Sequence, residues 1–568
     1  MNKKIILSAA ALLLLMASCS SDDNNVTEDG KVNVAKAIEF KVAFADYNSE
    51  QEVGVTRASD NETNIERQTV DLGNGVLAQC TLQRDTAMQT SQDATRALSP
   101  LADDTYTMLA YDAATHVYKG GVTGQVASGT FTPNPSQRLS LAPGTYDFVL
   151  YNSKVTRNGN NLSVSRANAG TAMIGRTSYY YVTSTPQKQE VTFQMKHAAA
   201  RVRFQYQTDA PISSSFATIE SVNSTDVPNT AIYDAAMDTW SNGNGAAVSN
   251  YFSMPASTGL AYAESLYYSD GTQYLYFLPS TPMEKLKLKN ITATIYNSST
   301  NGVELTLNPL YDFFTHSNVK MEANKSYVVH ITFHPNFLYL MSDGSIGSYT
   351  ETTFGGGSKT PIALVISRGD RLAMGLKPLG AYKHWGNPMR WSQQSNFNIL
   401  YSLGGGFADG YDLTWNPAQS VDGTVKGSDP NCEAFYDAGQ YGTTLANELA
   451  AQGKTLAPSI AAKKWFLPNV KQLSKVITNI GFGDGGSLFM NYNIQAGWYP
   501  FIVGDAFSRV GGQFSMPDGI WTSDENSYTD AIRLHHATFG GYGGTPATVE
   551  FEHIGKAYGG QVYPFVHY

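Results

Sequence analysis

Between residues 36 and 335 the chain alternates apolar and polar residues in short runs separated by turn residues, Gly, Pro, Asn and Ser among them. "TYTMLAYD" (Thr105–Asp112), "GTYDFVLYNS" (Gly144–Ser153), "EVTFQM" (Glu190–Met195) and "ARVRFQYQ" (Ala200–Gln207) follow this pattern. So do "QYLYFLP" (Gln273–Pro279), "ITATIYN" (Ile291–Asn297), "GVELTLN" (Gly302–Asn308) and "SYVVHITF" (Ser326–Phe333). A period of two over such lengths predicts β-strands, since successive side chains leave a strand on opposite faces. Their regular spacing predicts antiparallel sandwiches with one wet face per sheet. Two sandwiches of roughly 140 residues each fit this stretch, with the break near His197. An earlier run, "AIEFKVAFA" (Ala37–Ala45), places Ile38, Phe40, Val42 and Phe44 on one face of a first strand.

After residue 336 the period changes. "PNVKQLSKVITNIG" (Pro468–Gly481) sets Val470, Leu473, Val476, Ile477 and Ile480 on one helical face. Asn469 stands at the N-cap and Gln472 at the capping-box position. "TTLANELAAQG" (Thr443–Gly453) predicts a short amphipathic helix closed by Gly453. Strand patterns such as "IALVISR" (Ile362–Arg368) and "ATVEFEH" (Ala547–His553) surround these helices, so a separate α+β domain is expected. Six of the seven tryptophans fall in this part.

The first residues are of another kind. Lys3 and Lys4 precede an apolar run from Ile5 to Met16, shorter than the roughly 20 residues of a membrane-spanning helix and proportioned as a secretory signal. It ends in "MASC", resembling a bacterial lipobox in which Cys19 is acylated, and "SSDDNN" then reads as a polar tether. The remaining cysteines, Cys80 and Cys432, are far apart, so no disulfide framework is expected. The net charge of −9 comes without a basic block, which argues against nucleic acid. Only 15% of residues are charged, a composition that favours extracellular β-structure.

"ERQTVDLGNGVLAQCTLQRD" (Glu66–Asp85), "LSLAPGTYDFVLYN" (Leu139–Asn152), "FQMKHAAARVRF" (Phe193–Phe204) and "NKSYVVHITF" (Asn324–Phe333) together resemble the fimbrillin family of type V pilus subunits. That resemblance implies two transthyretin-like Greek-key β-sandwiches exported as a lipoprotein. "LYLMSDGSIG" (Leu338–Gly347), "KKWFLPNVKQL" (Lys463–Leu473), "DGIWTSDE" (Asp518–Glu525) and "QVYPFVHY" (Gln561–Tyr568) resemble C-type-lectin-like domains of bacterial surface proteins. The expected organisation is a signal peptide with lipobox over 1–19 and a tether with first strand, a removable propeptide, over 20–57. An N-terminal sandwich over 58–196, a second over 197–335 and a C-type-lectin-like α+β domain over 336–568 follow.

In the fimbrillin family an arginine-specific protease cuts the loop after the first strand, and the vacated groove takes a strand from a neighbouring subunit. The resemblance therefore implies a cut at Arg57, with Arg67 and Arg96 as rivals, and makes Ile38, Phe40, Val42 and Phe44 the groove fillers. Cutting at Arg96 would also remove a second strand-like run, Gln68–Leu82. The lectin-like motif holds Trp465, Pro468, Asn469 and Trp521 as structural residues. Trp385, Trp391, Trp415 and Trp498 lie in loop-rich sequence and are candidates to contact a ligand, since aromatic faces stack on sugars. The calcium tripeptides of sugar-reading C-type lectins are absent. Asp409, Asp412 and Asn416 match no calcium loop and read as a turn-rich surface segment. His535, His536, His553 and His567 match no metal spacing, and there is no G-x-S-x-G elbow. Neither enzyme nor cofactor nor metal is expected.

These readings converge on a pilus subunit, a tip adhesin at the outer membrane and fimbrium. "GGQVYPFVHY" reads as a closing strand, so the subunit receives a strand without giving one. Its partners would be other pilus subunits, the protease, a host or bacterial glycan or protein, and the outer membrane through the lipid. The alternative is a lipid-anchored adhesin or pilus-base anchor that does not polymerise.

Overall fold

The computed structural model describes residues 30–48, 69–72, 75–85, 104–185, 188–258, 267–289, 291–296, 298–299, 303–307, 311–312, 317–318, 320–380, 382–386, 408–483, 496–527, 529–538 and 547–568. Strand β1 (Ile38–Phe44) follows the expected alternation, with Ile38, Phe40 and Val42 buried and Glu39 and Ala43 exposed. The next two strands, β2 (Thr69–Asp71) and β3 (Val76–Arg84), do not join it. Strands β4 (Thr105–Asp112), β5 (Tyr118–Ala127), β6 (Thr130–Pro133), β7 (Gly144–Asn152), β8 (Met173–Val182) and β9 (Gln189–His197) do. With β1 they close a barrel in the order β8-β9-β1-β6-β5-β4-β7, and β7 pairs back to β8.

The single wet face fails in β4 and β7. Tyr106, Met108 and Ala110 of β4 point into the barrel core, while Leu109 and Tyr111 are buried in a second cluster outside it. That cluster is roofed by a sheet in which Thr156–Asn158, Asn161–Ser165, Thr230–Asp234 and Thr239–Asn242 pair in that order. The sheet draws strands from both sides of the expected limit at residues 196 and 197.

Strands β10 (Ala200–Thr208) and β11 (Ser326–Pro335) are the centre of the second sandwich. Its main sheet runs Tyr267–Asp270, β10, β11, β3, β2, and the facing sheet runs Ser249–Met254, Ser215–Ser221, Leu286–Lys289, Glu304–Thr306. Cys80, Phe204, Tyr206, Ile331 and Phe333 of the first meet Ile219, Phe252, Leu288 and Leu305 of the second in one core. Strand β3 pairs antiparallel with β11 over all its nine residues. The segment from 69 to 84, expected within the 58–196 sandwich, therefore belongs to the second one. Alternation specifies which face of a strand is buried but says nothing about which strand lies beside it.

Two residues, Asn336 and Phe337, separate β11 from β12 (Leu338–Met341). The C-terminal domain continues through β13 (Pro361–Ser367), β14 (Leu372–Gly375) and helices α1 (Gly410–Trp415), α2 (Glu433–Ala451), α3 (Val470–Lys475) and α4 (Pro500–Ser508). Strands β15 (Ile520–Glu525), β16 (Asp530–Thr538), β17 (Ala547–Gly555) and β18 (Phe565–His567) complete it. One sheet has the order Ile346–Ser348, β12, β13, β14, β18, so its first and last strands share a sheet; the other has Ala496–Trp498, β17, β16, β15. The second sandwich and this domain are not separated by solvent. A single apolar cluster runs from Phe333 through Phe337 and Tyr339 to Leu473, Trp498 and Phe507.

Helix α2 begins ten residues before the expected Thr443. It ends as expected, with Gly453 at φ +70° and the Lys454 N–H donating to the Leu449 carbonyl at 2.9 Å. The capping box of α3 is present: the Asn469 side chain accepts from the Gln472 N–H at 2.7 Å, and Gln472 Oε1 from the Asn469 N–H at 3.0 Å. Gly481 closes the following π-helical turn for a packing reason, since a Cβ there would stand 2.9 Å from the Trp498 ring.

Candidate functional site

β1 is held by its faces more than by its edges. Along one edge it pairs in parallel with β9 from Ile38↔Gln189 to Phe44↔Met195. Along the other, only Phe40↔Phe131 and Lys41↔Thr130 pair with β6, helped by a 2.7 Å bond from the Val42 N–H to the Gly129 carbonyl. That carbonyl is presented by the two-residue β5–β6 turn, in which Ser128 and Gly129 have φ of +48° and +73°, the signs such a turn demands. Phe40 lies at the centre of the barrel, 6.2, 5.9 and 6.1 Å from the rings of Phe131, Phe148 and Phe193. Ile38 and Val42 are also buried, whereas Phe44 is half-buried at the barrel's end. Burying each such side chain contributes about 1.5–3 kcal/mol, so β1 is retained chiefly by apolar contact. The flanking Lys41 pairs with Glu39 and Glu190 at the surface and adds little.

β1 is also the only barrel strand that precedes β2 and β3 in the chain. The connection after it leads out of the barrel into the second sandwich. Arg57 and Arg67 lie in that connection and Arg96 lies between β3 and β4; with Cys19 and Trp391, all three arginines fall outside the described residues.

The tryptophans of the C-terminal domain divide by burial. Trp465 and Trp521 are fully buried. Trp465 meets Tyr441 edge-on at 4.6 Å, and Trp521 donates to the Lys383 carbonyl at 2.6 Å. Trp385 and Trp498 were expected to be open to a ligand and are not. Trp385 donates to the Thr522 carbonyl at 2.8 Å and packs edge-on against Phe435; Trp498 sits between Gly481, Phe514 and His536. Each is a core residue because neighbouring loops fold over it. Trp415 is half-buried, with its N–H on the Trp465 carbonyl at 2.8 Å and Lys464 4.7 Å above its ring. The aromatic rings of this domain that face solvent most are Tyr382 and Tyr558, 66% and 62% exposed, followed by Phe354 and Phe501. Tyr382 has φ +58° and donates to Asp518 at 3.2 Å. They carry no sequence signal, because exposed and buried aromatics look alike in loop sequence.

A buried polar group was also not anticipated. Glu525, at the end of β15, pairs with Lys556, and both side chains are almost wholly enclosed. Trp385 lies 4.8 Å below the Lys556 ammonium. Burial lowers Lys556 and brings Lys426 down to about 8; Lys426 donates to Ser420. Burial raises the Asp524 carboxyl to about 7, against the opposing bond from the Val470 N–H. The one sequence cue was the charged "DE" where a strand enters the core. Enclosure suits this group to tying β15 to the Lys556 turn rather than to meeting a substrate.

Asp409 and Asn416 act as caps. Asp409 accepts from the Tyr411 N–H at 2.8 Å and from Gln472 at 2.9 Å, and Asn416 accepts from the Ala418 N–H at 3.0 Å. His567 of β18 lies 3.2 Å from Asp409, and the hydrogen bond to that carboxylate raises its pKa. Among the described residues, no three His, Cys, Asp or Glu side chains are grouped to hold a metal ion.

No family model matches the chain, and no curated protein matches it either. Solved structures do align. A candidate cell adhesion protein from Bacteroides uniformis shares 14% identity over 41% of this chain and 86% of its own, with a TM-score of 0.28. One from Bacteroides ovatus shares 10% over 52% and 92%, also at 0.28. A fimbrial protein from Bacteroides vulgatus shares 14% over 41% and 91%, at 0.25. Superpositions of this quality assign neither a fold nor a role.

Proposed function

We propose that this protein is an adhesive surface subunit of a fibre, and that its barrel accepts a strand from a neighbouring subunit in place of β1. The observation that carries the reading is the position of β1 in the chain. It fills the centre of a barrel whose other strands all come after β3, so one cut before β2 severs its only covalent link to them. Cleavage at Arg57 or Arg67 meets that condition. Cleavage at Arg96 would also detach β2 and β3 and open the second sandwich along β11, so Arg57, with Arg67 as its rival, is preferred to Arg96. The vacated slot would offer backbone groups of β9 and β6 and pockets at alternate positions, the elements of strand addition. An open slot invites aggregation, which gives the chain a reason to keep β1 until assembly.

The segment Gln561–Tyr568 is a poor donor. β18 pairs with β14, and Val562, Tyr563, Phe565 and Val566 are buried, so withdrawing it would expose the domain core. A subunit that receives a strand but keeps this one suits the tip of a fibre. In this reading the C-terminal domain is C-type-lectin-like and presents Tyr382, Tyr558 and Trp415 to a glycan or protein ligand. Cys19 anchors the precursor in the outer membrane. A second reading, a lipid-anchored adhesin that never exchanges β1, is favoured by the completeness of the barrel as it stands. Sequencing the N-terminus of the protein in sheared fibres separates the two. A start at Ala58 is expected, and fibres containing the chain with Ile38–Phe44 still attached would overturn strand exchange.

A further inference from the structure

The apolar slot leaves one question open. Alternate side chains fill it, so a strand displaced by two residues would still turn its apolar face inward. Something beyond the slot must set the register; Val32 and Asn33 pair with Leu141 and Ser140 before β1, and the residues after β1 add a site that reads side chains. Tyr47 and Asn48 leave the barrel and dock where β9 ends, β10 and β11 begin and β3 has just finished. The Tyr47 ring lies flat on His197, centroids 4.0 Å apart at 8°. The Arg201 guanidinium stands 4.4 Å over that ring and 4.1 Å over Tyr274, and its Nε donates to Ser326 Oγ at 2.9 Å. Asn48 adopts φ +60°, a conformation that asparagine tolerates better than most residues. Its N–H donates to the Asn324 carbonyl at 3.0 Å, and its side-chain amide to the Asp85 and Ser326 carbonyls at 3.2 Å each. Its Oδ1 accepts from the Ser326 N–H at 3.0 Å. Asn324 reaches back, donating to the Asp46 carbonyl at 3.2 Å and accepting the His197 N–H at 3.1 Å.

One short segment is thus held by two unlike sites, an undirected apolar slot in the barrel and a directed aromatic and amide site at the head of the second sandwich. We propose that the pocket of His197, Arg201, Asn324 and Ser326 is a second recognition site for whatever strand occupies the β1 slot. It fits a strand of another subunit that carries apolar residues at alternate positions and then, three and four residues beyond the last, an aromatic residue and an asparagine. Any two-residue slip keeps the slot filled but takes the aromatic ring off His197, so the pocket selects register where the slot cannot. This rests on the reading of β1 as exchangeable, and the test keeps the two apart.

The full chain is given a specific protease site after Arg57, cut, and equilibrated with a fluorescent peptide of residues 31–48, followed by anisotropy. Unlabelled peptide of the native sequence is expected to compete. Peptides with Tyr47→Ala and Asn48→Ala, or with two residues deleted between Phe44 and Tyr47, should need at least tenfold higher concentration. Equal competition by all three overturns the second site and leaves strand exchange standing. Failure of every peptide to enter overturns strand exchange, and the pocket is then judged in the uncut chain. There, Tyr47→Ala with Asn48→Ala should move the His197 titration, followed by NMR, up from about 4 toward its ordinary value near 6.5. An unmoved titration overturns the pocket.

Discussion

The first strand of the barrel and the last strand of the C-terminal domain are buried to different extents. β1 enters the barrel from a distant part of the chain, pairs with β9 along its whole length and with β6 at two positions, and turns Ile38, Phe40 and Val42 against other apolar side chains. β18 pairs with β14 at three positions and is buried on both faces, Phe565 in one apolar cluster and Val566 in another, in a domain that also holds the enclosed Glu525–Lys556 pair. Apolar contact is non-directional and tolerates a substitute of similar shape. A buried ion pair does not tolerate the loss of one partner, because that strands a charge in a medium that cannot solvate it. The contrast is between a strand buried on one face and a strand buried on both.

The largest test of this contrast is Glu525→Ala. It leaves the Lys556 ammonium buried without its carboxylate and should cost about 3–5 kcal/mol. Tryptophan fluorescence during denaturant unfolding reads the effect where it occurs, since six of the seven tryptophans lie in residues 336–568. Retention of β1 after cleavage should be unchanged; if it falls, the two regions are one cooperative unit. Phe40→Ala is the converse, costing the barrel about 3–5 kcal/mol and speeding release of the cut N-terminal segment while the tryptophan transition stays in place.

A pH series probes the buried polar group further. The folded-state pKa of Asp524, about 7, lies above its ordinary 3.8. Its contribution to stability is therefore full below pH 3.8 and lost as the pH rises through 7, on the order of 4 kcal/mol across that span. Asp524→Asn should flatten that part of the stability profile of the C-terminal domain, and an unchanged slope would show that another group titrates. Lys426 has the opposite sign. Its value near 8 lies below the ordinary 10.5, so its contribution is full above pH 10.5 and lost as the pH falls through 8. The smallest effect on stability belongs to Tyr382→Ala with Tyr558→Ala, within about 0.5 kcal/mol per site because both rings face water. A glycan array, run with and without calcium, would register a loss of binding by this variant if the tyrosines meet the ligand.

Legibility followed the range of the interaction. The inward face of β1 and the Asn469–Gln472 cap were readable because both depend on residues a few positions apart. The first half of α2 was not. Phe435, Ala438, Tyr441, Leu445 and Leu449 form one buried face, but Gly439 and Gly442 break the helical pattern. Those glycines serve distant partners: a Cβ at Gly442 would stand 3.0 Å from the Trp465 ring, and one at Gly439 2.5 Å from the Gly427 carbonyl. Trp385 and Trp498 were misread for a similar reason, since the residues that cover them come from other parts of the chain.

By itself, then, the sequence determined which residues of β1 turn inward, where α3 begins and α2 ends, and that the chain is mainly β with a final α+β part. The period of two and the cap chemistry are local properties of the backbone. Only the tertiary structure decided that β2 and β3 leave the barrel for the second sandwich, and that Tyr47 and Asn48 meet His197 and Ser326. It also decided that Glu525 finds Lys556. Each of these joins residues far apart in sequence, and strand pairing and burial between such residues depend on which surfaces meet when the whole chain closes.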